Sequence, residues 1–292
     1  MRSLLFVPGD SERKLTKALA SGADALILDL EDSVAPANRS AARTLTAAFI
    51  AEARKIERRP RLYVRINPLD GDDWEADLAA VMPALPDGIV MPKPNSGDDV
   101  SRLSIALASA ETEVGGTPNG TRILPIVTET PLSVLQLHSY AGASTRMVGM
   151  SWGAEDLGAV VGSLANRDER GQFTSPYRLV RDLCLITAAA ASVEPIDTVY
   201  VNFRNTAGLE AETRDARRDG FTGKMAIHPD QVAPINAIFT PTEAEVTHAR
   251  AVIAAFDCVA GVASLNGMML DKPHLKLAEK VLARAKAAGV IA

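Results

Sequence analysis

Acidic side chains in this sequence follow short apolar runs. Residues 25–30 lead into Glu31 and Asp32, residues 123–127 lead into Glu129, and residues 147–150 are followed by Asp156. Short apolar runs bounded by polar residues are typical of buried strands. An acid at the end of such a strand points into the mouth of a sheet or barrel, where its oxygens can hold a metal ion. The pattern therefore indicates an enzyme.

Glu129 and Asp156 follow predicted neighbouring strands and are expected to share one cation. Oxygen ligands with coordination positions left to water suit Mg²⁺. His228 is the one histidine near a predicted strand end, so a zinc site would lack ligands. For Asp156 alone, capping of the following helix is an equally good interpretation. The two acids together favour a metal site.

Arg65 lies inside an apolar strand, in the run YVRIN at residues 63–67. A buried guanidinium needs paired acceptors. Arg65 therefore either forms ion pairs that fix internal acids such as Glu31 and Asp32, or binds a carboxylate or carbonyl of a substrate. The two roles are compatible with each other.

The elements that must position these residues alternate between short strands and longer helices. Near-continuous apolar strands need both faces covered, which favours a parallel sheet wrapped by helices. We predict a TIM (β/α)8 barrel over residues 1–241. Its strands are predicted at residues 4–7, 25–28, 62–66, 88–91, 123–127, 146–150, 198–201 and 225–227.

Residues 242–292 do not fit another strand and helix unit. We predict a C-terminal helical extension with helices at 243–259 and 272–288, joined by a small-residue connector at 261–267. The connector and the following Met268 and Met269 indicate an arm that packs on a surface outside the barrel, and a simple helical cap is the alternative. In an oligomer, that surface would belong to a neighbouring subunit.

Composition narrows the class of protein. The 292 residues are 47% hydrophobic, enough to fill one barrel, and the net charge of −5 argues against a nucleic-acid partner. The apolar run at 4–7 is too short for a signal peptide or a membrane span, so no membrane partner is expected. Cys184 and Cys258 are predicted to be buried free thiols. A cytoplasmic enzyme fits these features best.

Several motifs in order along the chain resemble the citrate lyase β-subunit-like (CitE-like) family. That family belongs with the malyl-CoA and citramalyl-CoA lyases in the HpcH/HpaI aldolase superfamily. The resemblance runs from about residue 2 to the C-terminus. The matching segments are 3–9 (SLLFVPG), 23–34 (ADALILDLEDSV), 64–67 (VRIN), 92–93 (PK), 129–130 (ET), 153–157 (GAEDL) and 223–231 (GKMAIHPDQ).

The resemblance implies roles for individual residues. Glu129 and Asp156 match the Mg²⁺ ligands, and Arg65 matches the arginine that binds the keto acid and stabilises charge on its oxygen. Asp271 matches an acid that reaches into a neighbouring subunit's site, commonly within a trimer. Phe6 and Lys17 match positions that contact coenzyme A (CoA).

Two observations qualify the assignment of the coenzyme-binding residues. Related enzymes often have an arginine where this chain has Ser11, and Arg13 is a possible substitute. For Lys17 and Arg13, an ordinary solvated helix face is about as good an interpretation as phosphate binding.

The expected function is a Mg²⁺-dependent lyase that cleaves a 3-hydroxyacyl-CoA thioester of the citramalyl-CoA or malyl-CoA type. The products would be a 2-oxo acid and acetyl-CoA, and Asp271 would protonate the thioester enolate. Arg65, Glu129, Phe6 and Lys17 are expected to bind the substrate, with Arg65 and Asp271 catalytic.

Three points stay open in this expectation. A citrate lyase β subunit acting on a citryl thioester of an acyl carrier protein is one alternative, and a non-catalytic metal-binding scaffold is another. Asp29, Glu31 and Asp32 are candidates for the base that takes the hydroxyl proton. At least two of these three acids are expected instead to orient Arg65 and metal-bound water. The expected assembly is a homotrimer or a dimer of trimers.

Overall fold

The computed structural model describes residues 1–256 and 261–292, so Cys258 and the end of the predicted helix 243–259 lie outside the described residues. The described chain divides into two compact units, residues 1–235 and 236–292. Each unit is built from consecutive chain. The division falls a few residues before the predicted boundary at 241.

The first unit contains, within the described residues, one sheet of eight parallel strands in the order β5-β4-β3-β2-β1-β8-β7-β6. The end strands β5 and β6 are joined by the parallel bridges Ile123 to Met147 and Ile126 to Ser151, which close the barrel. The predicted (β/α)8 fold is therefore confirmed. The strands are β1 Ser3–Pro8, β2 Ala25–Asp29, β3 Arg61–Arg65, β4 Gly88–Met91, β5 Arg122–Pro125, β6 Gly149–Ser151, β7 Glu194–Asp197 and β8 Gly223–Ala226.

Helices follow the strands and cover the outside of the barrel. Their apolar faces are buried, as with Leu15 of the first helix and Val100, Leu103 and Leu107 of the fourth. Short 3-10 turns supplement several of them. The helices are α1 Glu12–Ala18, α2 Arg39–Ala53, α3 Asp73–Val81, α4 Gly97–Glu113, α5 Pro131–Leu135, α6 Glu155–Val161, α7 Ser175–Ala190, α8 Thr206–Asp219 and α9 Val232–Phe239.

Side chains from the strands fill the barrel. They form one apolar cluster against which Phe6 is partly buried. Because this interior is packed, the barrel has room for chemistry only at its ends. The cluster consists of Leu4, Ala25, Ile27, Tyr63, Val90, Leu124, Ile126, Ile196 and Met225.

The seventh strand differs from the prediction. Residues 198–201 were expected to be extended because Val and Tyr favour strands, but they follow β7 as irregular chain. The strand is Glu194–Asp197, in which Ile196 enters the core and Asp197 pairs in register with Lys224 of β8. Burial of Ile196 and the buried charge pair with Lys224 therefore outweigh local propensity.

A buried ion pair lies beside the seam between β5 and β6. The Arg146 guanidinium donates to both carboxylate oxygens of Glu111 on α4 at 2.7 and 2.8 Å, and both side chains are 2% exposed. The carbonyl of Arg146 accepts a hydrogen bond from the Ile123 N–H of β5. The pair therefore fixes the chain that enters β6 from the end opposite the site.

The second unit contains a hairpin that the sequence analysis did not predict. The helices and strands described in this unit are α10 Glu243–Phe256, β9 Ala263–Leu265, β10 Met268–Leu270 and α11 Lys272–Ala287, and β9 and β10 form the hairpin. Asn266 and Gly267 form the turn between the antiparallel strands, with φ of +52° and +76°. Asn-Gly favours this two-residue turn because both residues tolerate positive φ. The predicted connector is therefore a hairpin whose Leu270 packs with Val252 of α10.

No helix within the described residues is long and apolar enough to cross a membrane.

Candidate active site

Arg65 is the last residue of β3 and is held by Asp29, the last residue of β2. The two residues are partners in the parallel register of these strands. Nε and Nη2 of Arg65 donate to the two carboxylate oxygens of Asp29, each at 2.7 Å. Asp29 also accepts the main-chain N–H groups of Glu31 and Ser33. Each of the planar groups is thus fixed in orientation by the other.

The environment of this pair sets its protonation state. Burial alone would raise the pKa of Asp29, but hydrogen bonds and charge from Arg65 outweigh it and hold that pKa below its usual value. Hydrogen bonds and charge from Asp29, together with the charges of Glu31 and Glu129, keep the pKa of Arg65 above its ordinary value despite burial. The Phe6 ring covers the guanidinium, with 4.8 Å between Cζ and the ring centre. Arg65 is thus a fixed cation with one face on an aromatic ring.

Glu31 lies between the two cations of the site. Its Oε2 is 2.8 Å from Nη1 of Arg65, and its Oε1 accepts from the Lys93 ammonium at 2.5 Å. Burial raises the pKa of Glu31 in spite of both cations. Asp32 is 3.1 Å from the same ammonium, and its side chain is 56% exposed. The structure therefore brings Glu31 and Asp32, at the end of β2, together with Arg65 and also with Lys93.

Glu129 is buried at the barrel mouth, 4% exposed. Its Oε2 accepts the main-chain N–H of Lys93 at 2.6 Å. A Cβ at position 153 would lie 2.8 Å from Cγ of Glu129, so glycine is needed there for the carboxylate to sit so close to the β6 end. Burial, reinforced by the charge of Asp156, raises the pKa of Glu129 to about 8.

Asp156 lies in the first turn of α6, a helix that begins at Glu155 with Ala154 as its N-cap residue. The capping interpretation of Asp156 is therefore wrong. Its Oδ1 is 3.3 Å from the Lys93 ammonium. Two carboxylates repel each other at this mouth, and a cation between them would remove the repulsion.

The donor set fits a hydrated, oxygen-seeking cation. In residues 1–256 and 261–292, no three or more His, Cys, Asp or Glu side chains form a preformed metal-binding group. A site based on two carboxylates leaves most coordination positions to water or substrate, which is the preference of Mg²⁺.

Three predicted residues remain to be located. Phe6 lies on Arg65, whereas Lys17 is exposed on the last turn of α1. Asp271 belongs to the second unit and is the N-cap residue of α11, with its Oδ1 2.5 Å from Nδ1 of His274.

Lys93 is the site residue that sequence reasoning undervalued. It follows β4 and was recognised only as a strand-end lysine within a Pro-Lys motif. In the structure it contacts Glu31, Asp32, Asp156 and, through its main chain, Glu129. Neither type nor spacing predicted that one residue would connect four acids.

A second buried charge cluster lies nearby, where the end of β7 pairs with the start of β8. Asp197 accepts from the fully buried Lys224 ammonium at 2.6 Å and from the Trp152 indole at 2.8 Å. Trp152 directly precedes Gly153, so the cluster anchors the chain that leads to Asp156. His228 accepts the main-chain N–H of Asp230 and so caps the turn at Pro229–Gln231, and its ring stacks on Phe203.

The fold and site define a class of protein. It is a (β/α)8 barrel with two carboxylates and an arginine stacked on an aromatic ring at its mouth, the end where such barrels carry their active sites. The chain belongs to the HpcH/HpaI aldolase/citrate lyase family, which it matches over residues 2–229.

Relatives and solved structures agree with this assignment. The chain is 35% identical to citrate lyase subunit beta of Escherichia coli over 293 residues, covering 99% of this chain and 94% of the relative. It is 34% identical to a (3S)-malyl-CoA thioesterase of Cereibacter sphaeroides, covering 98% of this chain and 95% of that protein. It is also similar to CitE from Mycobacterium tuberculosis in complex with magnesium, acetoacetate and coenzyme A. That structure has a TM-score of 0.78 and 32% identity, with 98% of this chain and 100% of that chain covered.

We predict that Asp29→Asn lowers the free energy of unfolding by about 3–5 kcal/mol near neutral pH, because Arg65 stays buried without its paired carboxylate. The folded-state pKa of Asp29 is depressed, so its contribution is present above the unfolded value of about 3.9 and is lost as pH falls through the folded value. Urea unfolding from about pH 7 to about pH 3 should show the gap between variant and wild type closing below about pH 4.

The control for this prediction is Glu52→Gln, which removes an exposed ion pair with Lys55 and should change stability little at any pH. A gap for Asp29→Asn that stays constant down to about pH 3 would contradict the assignment of the Asp29 charge.

Proposed function

We propose that this protein is a Mg²⁺-dependent carbon–carbon lyase that cleaves a 3-hydroxyacyl-CoA thioester of the citramalyl-CoA or malyl-CoA type. The products are a 2-oxo acid and acetyl-CoA, and the reaction is reversible. The observation that carries the proposal is the meeting of Arg65, Glu129 and Asp156 at one barrel mouth. The magnesium and acetoacetate bound by the related CitE of M. tuberculosis support it.

Glu129 and Asp156 would hold the cation. Both supply oxygen donors. Burial, together with the charge of Asp156, raises the pKa of Glu129, and a cation held there would stabilise its ionised form. Bound there, Mg²⁺ supplies positive charge that polarises the carboxylate and hydroxyl oxygens of the substrate and fixes their geometry.

Arg65 binds the oxygen that becomes the carbonyl of the 2-oxo acid. Asp29 takes two donor groups of the guanidinium, and Phe6 covers one face, so the guanidinium does not reorient as charge develops on the substrate. Both oxygens of Asp29 are engaged by Arg65, so Asp29 orients this arginine and does not act as the base. Phe6, beside Arg65, and Lys17, on α1, contact the CoA portion.

Asp271 donates the proton to the carbon released by cleavage. Its side chain is 52% exposed and lies in the second unit, so it is available to a site on a neighbouring subunit. Burial under that interface would supply the raised pKa that a carboxylic acid needs for this role.

A homotrimer or dimer of trimers is the proposed assembly. Helices α5 and α6 contact each other directly beside the site and expose a set of apolar side chains. Such a patch is typical of an interface between subunits. The set consists of Leu132, Leu135, Val160, Val161 and, just after α6, Leu164. The buried thiol of Cys184 fits a reducing compartment, and we propose the cytoplasm.

We predict that the purified protein releases a 2-oxo acid and acetyl-CoA in equal amounts from citramalyl-CoA or malyl-CoA when Mg²⁺ is present. EDTA should abolish this activity because the carboxylate pair alone cannot stabilise the substrate oxygens. The assay measures 2-oxo acid, acetyl-CoA and free thiol separately, and no free thiol is expected; Arg65→Met is the inactive control.

Other outcomes of this assay would replace the proposal. Release of free thiol without 2-oxo acid would identify a thioesterase, the activity named for the C. sphaeroides relatives. Cleavage only of a citryl thioester carried by an acyl carrier protein would identify a citrate lyase β subunit, the name of the E. coli relative. No reaction with any of these thioesters would leave a non-catalytic scaffold.

We predict that Asp271→Asn lowers kcat by about 100-fold or more while the affinities for Mg²⁺ and the 2-oxo acid stay unchanged, because only proton transfer is lost. If the residue serves a neighbouring subunit, mixed oligomers of Asp271→Asn and Arg65→Met should regain part of the activity. Some sites would then combine an intact Arg65 with the partner's intact acid. Mixed oligomers without activity would rule out a site shared between subunits.

A further inference from the structure

Lys93 contacts both acids proposed above as Mg²⁺ ligands, and it does so through two different groups. Its main-chain N–H donates to Oε2 of Glu129 at 2.6 Å. Its ammonium lies 3.3 Å from Oδ1 of Asp156. These acids follow β5 and β6, whereas Lys93 follows β4, so one residue connects three consecutive strand ends.

The backbone of Lys93 is held in an unusual conformation. Its φ is +49°, in the left-handed region that glycine adopts more readily than residues with a side chain. Strain of this kind persists where the surrounding structure requires it, and it concentrates at functional sites. A lysine at this position combines a main-chain donor for Glu129 with a side chain that glycine would not provide.

The ammonium is a cation in direct contact with Asp156, one of the two proposed Mg²⁺ ligands. The mouth holds the acids Asp29, Glu31, Asp32, Glu129 and Asp156. Arg65 is engaged by Asp29 and Glu31, which leaves Lys93 as the cation paired with Asp156. The same ammonium lies 2.5 Å from Glu31 and 3.1 Å from Asp32, and its side chain is 25% exposed.

We propose that Lys93 is a positioning residue of the metal site. Its ammonium pairs with Asp156 while Mg²⁺ is absent, and Mg²⁺ displaces the ammonium when it binds. The main-chain N–H keeps Glu129 oriented throughout. This inference rests on the proposed function, because it takes Glu129 and Asp156 as the Mg²⁺ ligands. Its consequence is competition, since Mg²⁺ must break the ion pair between Lys93 and Asp156 in order to bind.

The test is the affinity for Mg²⁺ alone, measured by titration calorimetry without substrate. Lys93→Met keeps the main-chain N–H and most of the aliphatic stem but removes the charge. We expect its Kd for Mg²⁺ to fall about two- to fivefold, the size expected when one partly exposed ion pair no longer competes. A residue that only supports the fold would weaken binding when replaced.

Thermal unfolding gives a second readout on the same variants. Without Mg²⁺, Lys93→Met should have a lower Tm than the wild-type protein, because the acids at the mouth repel one another without the ammonium. Saturating Mg²⁺ should raise the Tm of the variant by more than it raises that of the wild type. If Lys93→Met does not fold, Lys93→Gln serves the same two measurements.

Two controls separate this effect from a general change of charge. Lys93→Arg keeps a cation beside Asp156 and should bind Mg²⁺ about as the wild type does. Lys55→Met makes the same change of charge at an exposed lysine that follows α2 and leads towards the start of β3, at the other end of the barrel. Its Kd should equal that of the wild type.

The outcomes distinguish the two proposals. If the wild type binds Mg²⁺ and cleaves the thioester but Lys93→Met binds Mg²⁺ equally or more weakly, the inference about Lys93 is overturned and the proposed function stands. If the wild type does not bind Mg²⁺, both are overturned.

Discussion

The structure of the site depends on one electrostatic constraint, the packing of several carboxylates at the end of a barrel where three of them, Asp29, Glu31 and Glu129, are buried. Like charges in such surroundings are tolerated only if cations and hydrogen-bond donors compensate them. Arg65 and Lys93 supply that compensation, the first through Asp29 and Glu31 and the second through Glu31, Asp32 and Asp156. Among the described residues, Glu129 accepts one main-chain N–H, and burial together with the charge of Asp156 raises its pKa. The compensation is therefore incomplete where a metal ion would bind.

The barrel provides this arrangement through strand register. Asp29 and Arg65 meet because they are register partners on neighbouring parallel strands, so their orientation follows from the sheet itself. Glu129 lies close to the end of β6 because Gly153 has no Cβ to push it away. Trp152 anchors the chain between Ser151 and Asp156, because its indole N–H donates a hydrogen bond to the buried Asp197. Rigid elements thus determine the distances at the mouth, as a preorganised site requires.

Much of the fold and part of the site could be predicted from sequence because they depend on local patterns. Apolar runs ended by acids identified most strands and the pair Glu129 and Asp156. The seventh strand was misplaced because the register of Asp197 with Lys224 is a contact between strands that propensity does not encode. The hairpin at Asn266 and Gly267 was missed although its turn signal was present. Lys93 was undervalued because its importance arises from acids on three other segments, which only the closed barrel brings together.

We propose that the incompletely compensated carboxylates at the barrel mouth form a divalent cation site between Glu129 and Asp156. Its most direct test is anomalous X-ray diffraction from crystals of this protein soaked in Mn²⁺, an ion that binds the same oxygen ligands as Mg²⁺ and gives a measurable anomalous signal. We expect one strong peak at about 2.2 Å, a direct coordination distance, from oxygens of both side chains. A strong peak at another group of acids, or no peak at this mouth in fully soaked crystals, would contradict it.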